Sequence, residues 1–133
     1  MSEIKGWIKL DGWRNSEVYI IPDYELESYE RWPPYYEDYS LNKLLENFEK
    51  KKVSLRYGIK NKKFNNITEE FLRKLYGELY FSEVHFFISE WTDGFYDESI
   101  IGGHNLSREL NSYKNQYIII EIEEVQKECI WKN

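Results

Sequence analysis

Residues 52–60, KVSLRYGIK, alternate without a break. Val53, Leu55, Tyr57 and Ile59 fall on one side, and Ser54, Arg56 and Lys60 on the other. A period of two is the mark of a strand with one face buried and one face wet. Such a strand cannot stand alone. Its backbone N–H and C=O groups need neighbours in a sheet, and its apolar face needs a cover. The rest of the chain must therefore supply both.

Candidates for the neighbours are readable on either side. EIKGWIKLDGW places Ile4, Ile8 and Leu10 at even spacing, and EVYIIPD is a short β-branched run closed by Pro22. With turn residues Asp11, Gly12, Asn15 and Ser16 between them, the pair reads as a hairpin. SEVHFFISEWT, residues 82–92, is of the aromatic and β-branched strand type. NQYIIIEIEEV is a last strand, whose apolar end predicts a central place in the sheet.

Three helices are expected as the cover. Ser40 stands where an N-cap would precede LNKLLENFEKK, with Leu41, Leu44, Leu45 and Phe48 on one helical face. Asn66 or Thr68 would cap a helix through Leu79, bearing Phe71, Leu72, Leu75 and Leu79. Asn105 would cap a short helix with Leu106, Leu110 and Tyr113 inward. The expected order is β-β-α-β-α-β-α-β. This predicts an α+β domain over residues 1–133, with a mixed or mostly antiparallel sheet of about five strands and the helices on one face. The end, residues 126–133, is expected to fray or dock.

The length of 133 residues suits one domain, and the lone cysteine, Cys129, forms no internal disulfide. The stretch MSEIKGWIKL holds no long apolar core and no small-residue cleavage site of the kind a signal peptide carries, and no apolar run approaches the ~20 residues of a membrane span. These features together predict a cytoplasmic protein. No cofactor motif is present: the glycines fit neither the P-loop nor the dinucleotide pattern, and two histidines with one distant cysteine do not make a zinc set.

Charge is segregated along the chain, although the net charge is only −6. Residues 23–38 hold Asp23, Glu25, Glu27, Glu30, Glu37 and Asp38 against one Arg31. Tyr24, Tyr29, Trp32, Tyr35, Tyr36 and Tyr39 are interleaved with them, in a chain whose aromatic content is 18%. The run shows no clean period, and Pro33 and Pro34 forbid a helix through its middle. It reads either as a loop whose rings lie over the core or as a partner-binding arm. In the second reading Tyr29, Trp32, Tyr35 and Tyr36 anchor a protein partner, and Glu30, Glu37 and Asp38 steer a basic one. By contrast, residues 50–63 carry Lys50, Lys51, Lys52, Arg56, Lys60, Lys62 and Lys63 with no acid. Tyr57 alternates away from Arg56, so base stacking and phosphate contact would not converge there, and direct nucleic-acid binding is disfavoured.

IIGGHNLSREL, residues 100–110, is the other candidate. Gly102 and Gly103 permit a sharp turn, and Asn105 permits a cap. Read functionally, Gly102, Gly103, His104 and Asn105 could hold an anion or small ligand. Glu90, Asp93, Asp97 and Glu98 nearby would then offer carboxylates to a hydrolase.

The features Gly102, Gly103, His104, Leu106, Leu110, Tyr113, Tyr117, Glu121 and Ile122, preceded by SEWTDG, resemble the C-terminal pattern of small phage and mobile-element proteins of low-GC bacteria. The likeness covers roughly the last third of the chain and carries no functional residue over. What it implies is context: a small accessory protein, such as a host-defence antagonist of the anti-CRISPR kind. The two functional expectations are therefore an acidic protein that inhibits or sequesters a basic nucleic-acid-binding partner, and a small-ligand binder or hydrolase built on the His104 loop.

Overall fold

The computed structural model describes residues 2–11, 17–31, 37–60, 73–89 and 92–125. Strands β1 (Ser2–Asp11) and β2 (Glu17–Ile21) form the expected hairpin. Helix α1 (Asp23–Arg31) follows, then a 3-10 turn at Glu37–Tyr39. Helix α2 (Leu41–Leu45) tightens into a second 3-10 turn, Glu46–Phe48. Strands β3 (Lys52–Lys60), β4 (Arg73–Ser89), β5 (Thr92–Ile101) and β6 (His104–Asn105) come next, followed by α3 (Leu106–Asn111) and β7 (Tyr117–Glu124). The strands make one antiparallel seven-stranded sheet in the order β2-β1-β7-β3-β4-β5-β6.

The last strand is central, as its isoleucines predict. β7 inserts between β1 and β3, and Ile118, Ile120 and Ile122 are fully buried while the alternate positions stay partly exposed. The alternation of β3 is also realised: Val53, Leu55, Tyr57 and Ile59 are buried and Arg56 is exposed. Helices α2 and α3 each touch both β2 and β5, which lie near opposite ends of the sheet. The sheet therefore curls around these two helices, as the right-handed twist of strands allows. Leu41, Leu45, Leu106 and Leu110 meet the strand residues there. Each such side chain contributes about 1.5–3 kcal/mol by leaving water.

Both helix caps are as predicted. The Ser40 side chain accepts from Lys43 N at 3.2 Å, and that of Asn105 accepts from Arg108 N at 3.0 Å.

Three expectations are corrected. The sheet has seven strands rather than five, and the order along the chain differs. The cause is the helix expected to run through Leu79: from Arg73 onward the backbone is strand β4. Leu75 and Leu79 are four apart, a spacing that satisfies a helical face and a strand face equally. Pairing decides for the strand, because Leu75 lies opposite Leu55 of β3. The proposed helix start, residues 66–72, lies outside the described residues. SEVHFFIS is then the continuation of β4, and the acidic run after it is β5, its antiparallel partner.

The helices, thirdly, do not share one face. Val18 and Ile20 of β2 join the main core, whereas Tyr19 and Ile21 join Tyr29 of α1 in a second cluster. Successive strand residues point to opposite faces, so α1 covers the outer face of β2. The chain crosses the sheet edge at Ser40, which bridges to Tyr19 before α2 begins on the inner side.

Candidate functional site

The acidic run is a helix over its first part. Asp23 and Glu25 occupy the first turn and Arg31 the last, which suits the helix dipole at both ends. Glu27 and Arg31 pair across one turn at 3.0 Å. Leu26 and Tyr29, three apart, turn inward. The prolines at 33 and 34 restrict only the residues next to them, so a helix ending at Arg31 is compatible with both.

Tyr29, named among the expected anchors, packs inward with Tyr19 and Ile21. It is 6% exposed, its ring stands 6.2 Å from that of Tyr19, and burial raises its phenol pKa. Glu30 and Asp38 are exposed, as steering charges require. Trp32, Tyr35 and Tyr36 lie outside the described residues, and of Glu37 only the backbone is described. Tyr24, which did not stand among the expected anchors, is 79% exposed on the outer side of α1. Glu27 and Ser28 are exposed on the same helix. At the base of the helix, Trp7 Nε1 donates to Asp23 Oδ1 at 2.6 Å and ties α1 to β1. The outcome is an acidic helix clamped to the sheet through Trp7, Tyr19 and Ile21, with Tyr24 presented to solvent.

The glycine loop is a tight turn between β5 and β6. Gly102 has φ +54 and Gly103 φ +84, the left-handed region that favours glycine. A Cβ on Gly102 would run into the Tyr76 carbonyl of β4, whereas one on Gly103 would meet open space. His104 is half-exposed, with Nδ1 3.9 Å from Glu109 Oε2. Glu109 Oε1 also accepts from the Tyr57 hydroxyl at 3.0 Å and pairs with Arg73 Nε at 3.1 Å. This carboxylate thus joins β3, β4, the turn and α3. Burial first, and the Glu109 hydrogen bond next, push the Tyr57 phenol well above its usual range.

Of the carboxylates expected near His104, Glu98 is buried and bound to Arg108 Nε at 2.9 Å. Asp93 and Asp97 are placed in β5 by their register, and Glu90 lies outside the described residues. Ser99, fully buried, bonds through its side chain to Asn42 and through its N–H to Ser107 Oγ at 3.0 Å. Gly102, Gly103 and Asn105 are accounted for by the turn and the cap. Among the described residues no group of three His, Cys, Asp or Glu side chains is placed to hold a metal.

A further surface was missed because residues up to 79 read as helix. Tyr76 and Tyr80 of β4 are 43% and 45% exposed on the outer face. Tyr76 lies opposite Ser54, and Lys74 opposite Arg56. Ser54, Arg56, Lys74, Glu121, Ile122 and Glu123 line a shallow depression of about 230 Å³ there. Arg56 is held by Glu121, with Nε 2.9 Å from Oε1, so the face is charge-balanced rather than basic. The alternation Leu75, Tyr76, Leu79, Tyr80 is the signal that could have revealed it.

No helix among the described residues is long and apolar enough to cross a membrane. No family model, curated protein or solved structure matches the chain.

Proposed function

We propose that this is a small acidic protein-binding protein, an inhibitor or sequestering factor of phage or mobile-element origin that acts on a basic, nucleic-acid-binding partner. Antagonism of a host defence, as by an anti-CRISPR protein, is the fitting context. The observation that carries the reading is α1. It stands on the outside of the sheet, clamped by Trp7 at its first residue, and turns Tyr24, Glu27 and Glu30 to solvent. A rigid aromatic ring among acids suits a surface that is steered by charge and held by one buried anchor. The run continues into Trp32, Tyr35, Tyr36, Glu37 and Asp38, which extend the same composition.

The test is affinity capture from the native host with wild-type protein and with Tyr24→Ala and Glu27→Lys/Glu30→Lys variants, followed by binding measurements on the purified partner. Affinity should fall with salt, and Tyr24→Ala should weaken binding by ~2 kcal/mol, about 30-fold, with the fold intact. A partner that binds all three proteins equally, with no salt dependence, refutes the reading.

A further inference from the structure

The outer face of the sheet carries its charge in order. At the level of Arg56 the described sheet is four strands wide, because β2 pairs with β1 only from Trp7 onward and β5 with β4 only from Leu79. The registers set one residue of each strand in a row across it: Glu3 of β1, Glu121 of β7, Arg56 of β3 and Lys74 of β4. Their chain neighbours Ile4, Ile120, Leu55 and Leu75 pack into the core, so all four side chains stand on the outer face. Glu3, Arg56 and Lys74 are exposed, and Glu121 is half-buried.

This order is unfavourable within one copy. Glu3 lies directly opposite Glu121, and Arg56 directly opposite Lys74, and like charges so placed repel. The middle of the row is satisfied by the pair of Arg56 with Glu121. The ends are not. Glu3 reaches along its own strand to Lys5 at 3.3 Å, an exposed pair that contributes little, and Lys74 makes no ion pair among the described residues.

A row that reads acid, acid, base, base is complementary to itself turned end for end. A two-fold axis parallel to the strands, between β7 and β3, sets Glu3 against the partner's Lys74 and Glu121 against the partner's Arg56, and does so twice. A basic partner would meet Arg56 and Lys74, and an acidic one Glu3 and Glu121; a second copy offers each half its opposite. Two chains of net charge −6 repel one another, and a row that sums to zero offsets that where they touch. The axis keeps each level of the sheet facing the same level of the other copy. α1 packs at the Ile21 end of the face and β5 begins at the Leu79 end, so the two stay clear of one another. We propose that two copies of the chain associate through this face, outer sheet against outer sheet, about that axis. The contact is independent of what α1 binds.

The experiment measures the mass of the whole chain by sedimentation velocity, from micromolar to millimolar concentration. Wild-type protein should pass from monomer to dimer. Lys74→Glu and Glu3→Lys each bring like charges together at both symmetry-related places, and each should weaken the dimer at least ~10-fold. Mixed in equal amounts, the two variants again face each charge with its opposite, and should associate within about 3-fold of wild type. Both positions are exposed, so circular dichroism should show both variants folded. A wild-type chain that stays monomeric at millimolar concentration, a dimer indifferent to both substitutions, or a mixture that fails to recover overturns the proposal.

Discussion

Tyr24 and Tyr29 sit on one nine-residue helix, and the same substitution at the two positions isolates what burial contributes. Tyr→Ala changes helix propensity by the same few tenths of a kcal/mol at both. Tyr24 is 79% exposed and Tyr29 is 6% exposed, packed with Tyr19 and Ile21 and flanked by Leu26 and Tyr39. Removing a buried aromatic side chain costs about 3–5 kcal/mol. The lower figure applies here, because the cluster lies under one short helix that can settle into the space. For 133 residues, unfolding entropy near the midpoint is about 0.28 kcal/mol/K, from about 2.1 cal/mol/K per residue. Tyr29→Ala should then lower Tm by about 10 °C. Tyr24→Ala should stay within about 2 °C, the range of an exposed substitution. Circular dichroism melts at one scan rate decide the matter. Equal shifts for the two variants would refute the placement of α1 on the outer face of β2.

Two further outcomes follow from the turn and the tyrosines. Gly102→Ala should destabilise by more than ~1 kcal/mol, because the left-handed φ and the Tyr76 carbonyl both oppose a Cβ; Gly103→Ala should cost less, since only φ opposes it, and thermal melts of the two variants rank them. Tyr19 and Tyr57 have phenol pKa values raised, chiefly by burial and then by the Glu17 charge and the Glu109 hydrogen bond respectively. An unfolded phenol titrates near ~10, so the stability these groups hold is fully present below that pH and is lost as pH rises above it. Tm should decline above about pH 10, less steeply in Tyr57→Phe, and absorbance of tyrosinate should show some phenols ionising only on unfolding; a Tm independent of pH in that range would contradict it.

Much of the fold was legible because it rests on local pattern. The alternation in residues 52–60 specified β3, and the isoleucines of 118–122 specified a central β7, since only a strand flanked on both sides buries so apolar a run. Ser40 and Asn105 declared their caps, because a short acceptor before an apolar turn satisfies orphan amides whatever the surroundings. Gly102 and Gly103 declared a turn for the same kind of reason, one that ends within a few residues.

What the sequence left undecided was settled by partners far along the chain. Leu75 and Leu79 allow a helix or a strand, and pairing with Leu55, twenty residues upstream of the first, makes them strand. That choice also put Tyr76 and Tyr80 on the outer face, on the strand that sets Lys74 opposite Arg56, a surface whose local alternation is readable only once the strand is chosen over the helix. The acidic run folds as α1 because Trp7, Tyr19 and Ile21 offer it a face to bury against, and that face exists only once β1 and β2 have paired. Burial then divides two tyrosines of one helix, Tyr29 to the core and Tyr24 to solvent. Composition and spacing fix a residue's options within a turn or two of backbone. Which option is taken depends on the area buried against elements distant in sequence, and that is a property of the assembled sheet alone.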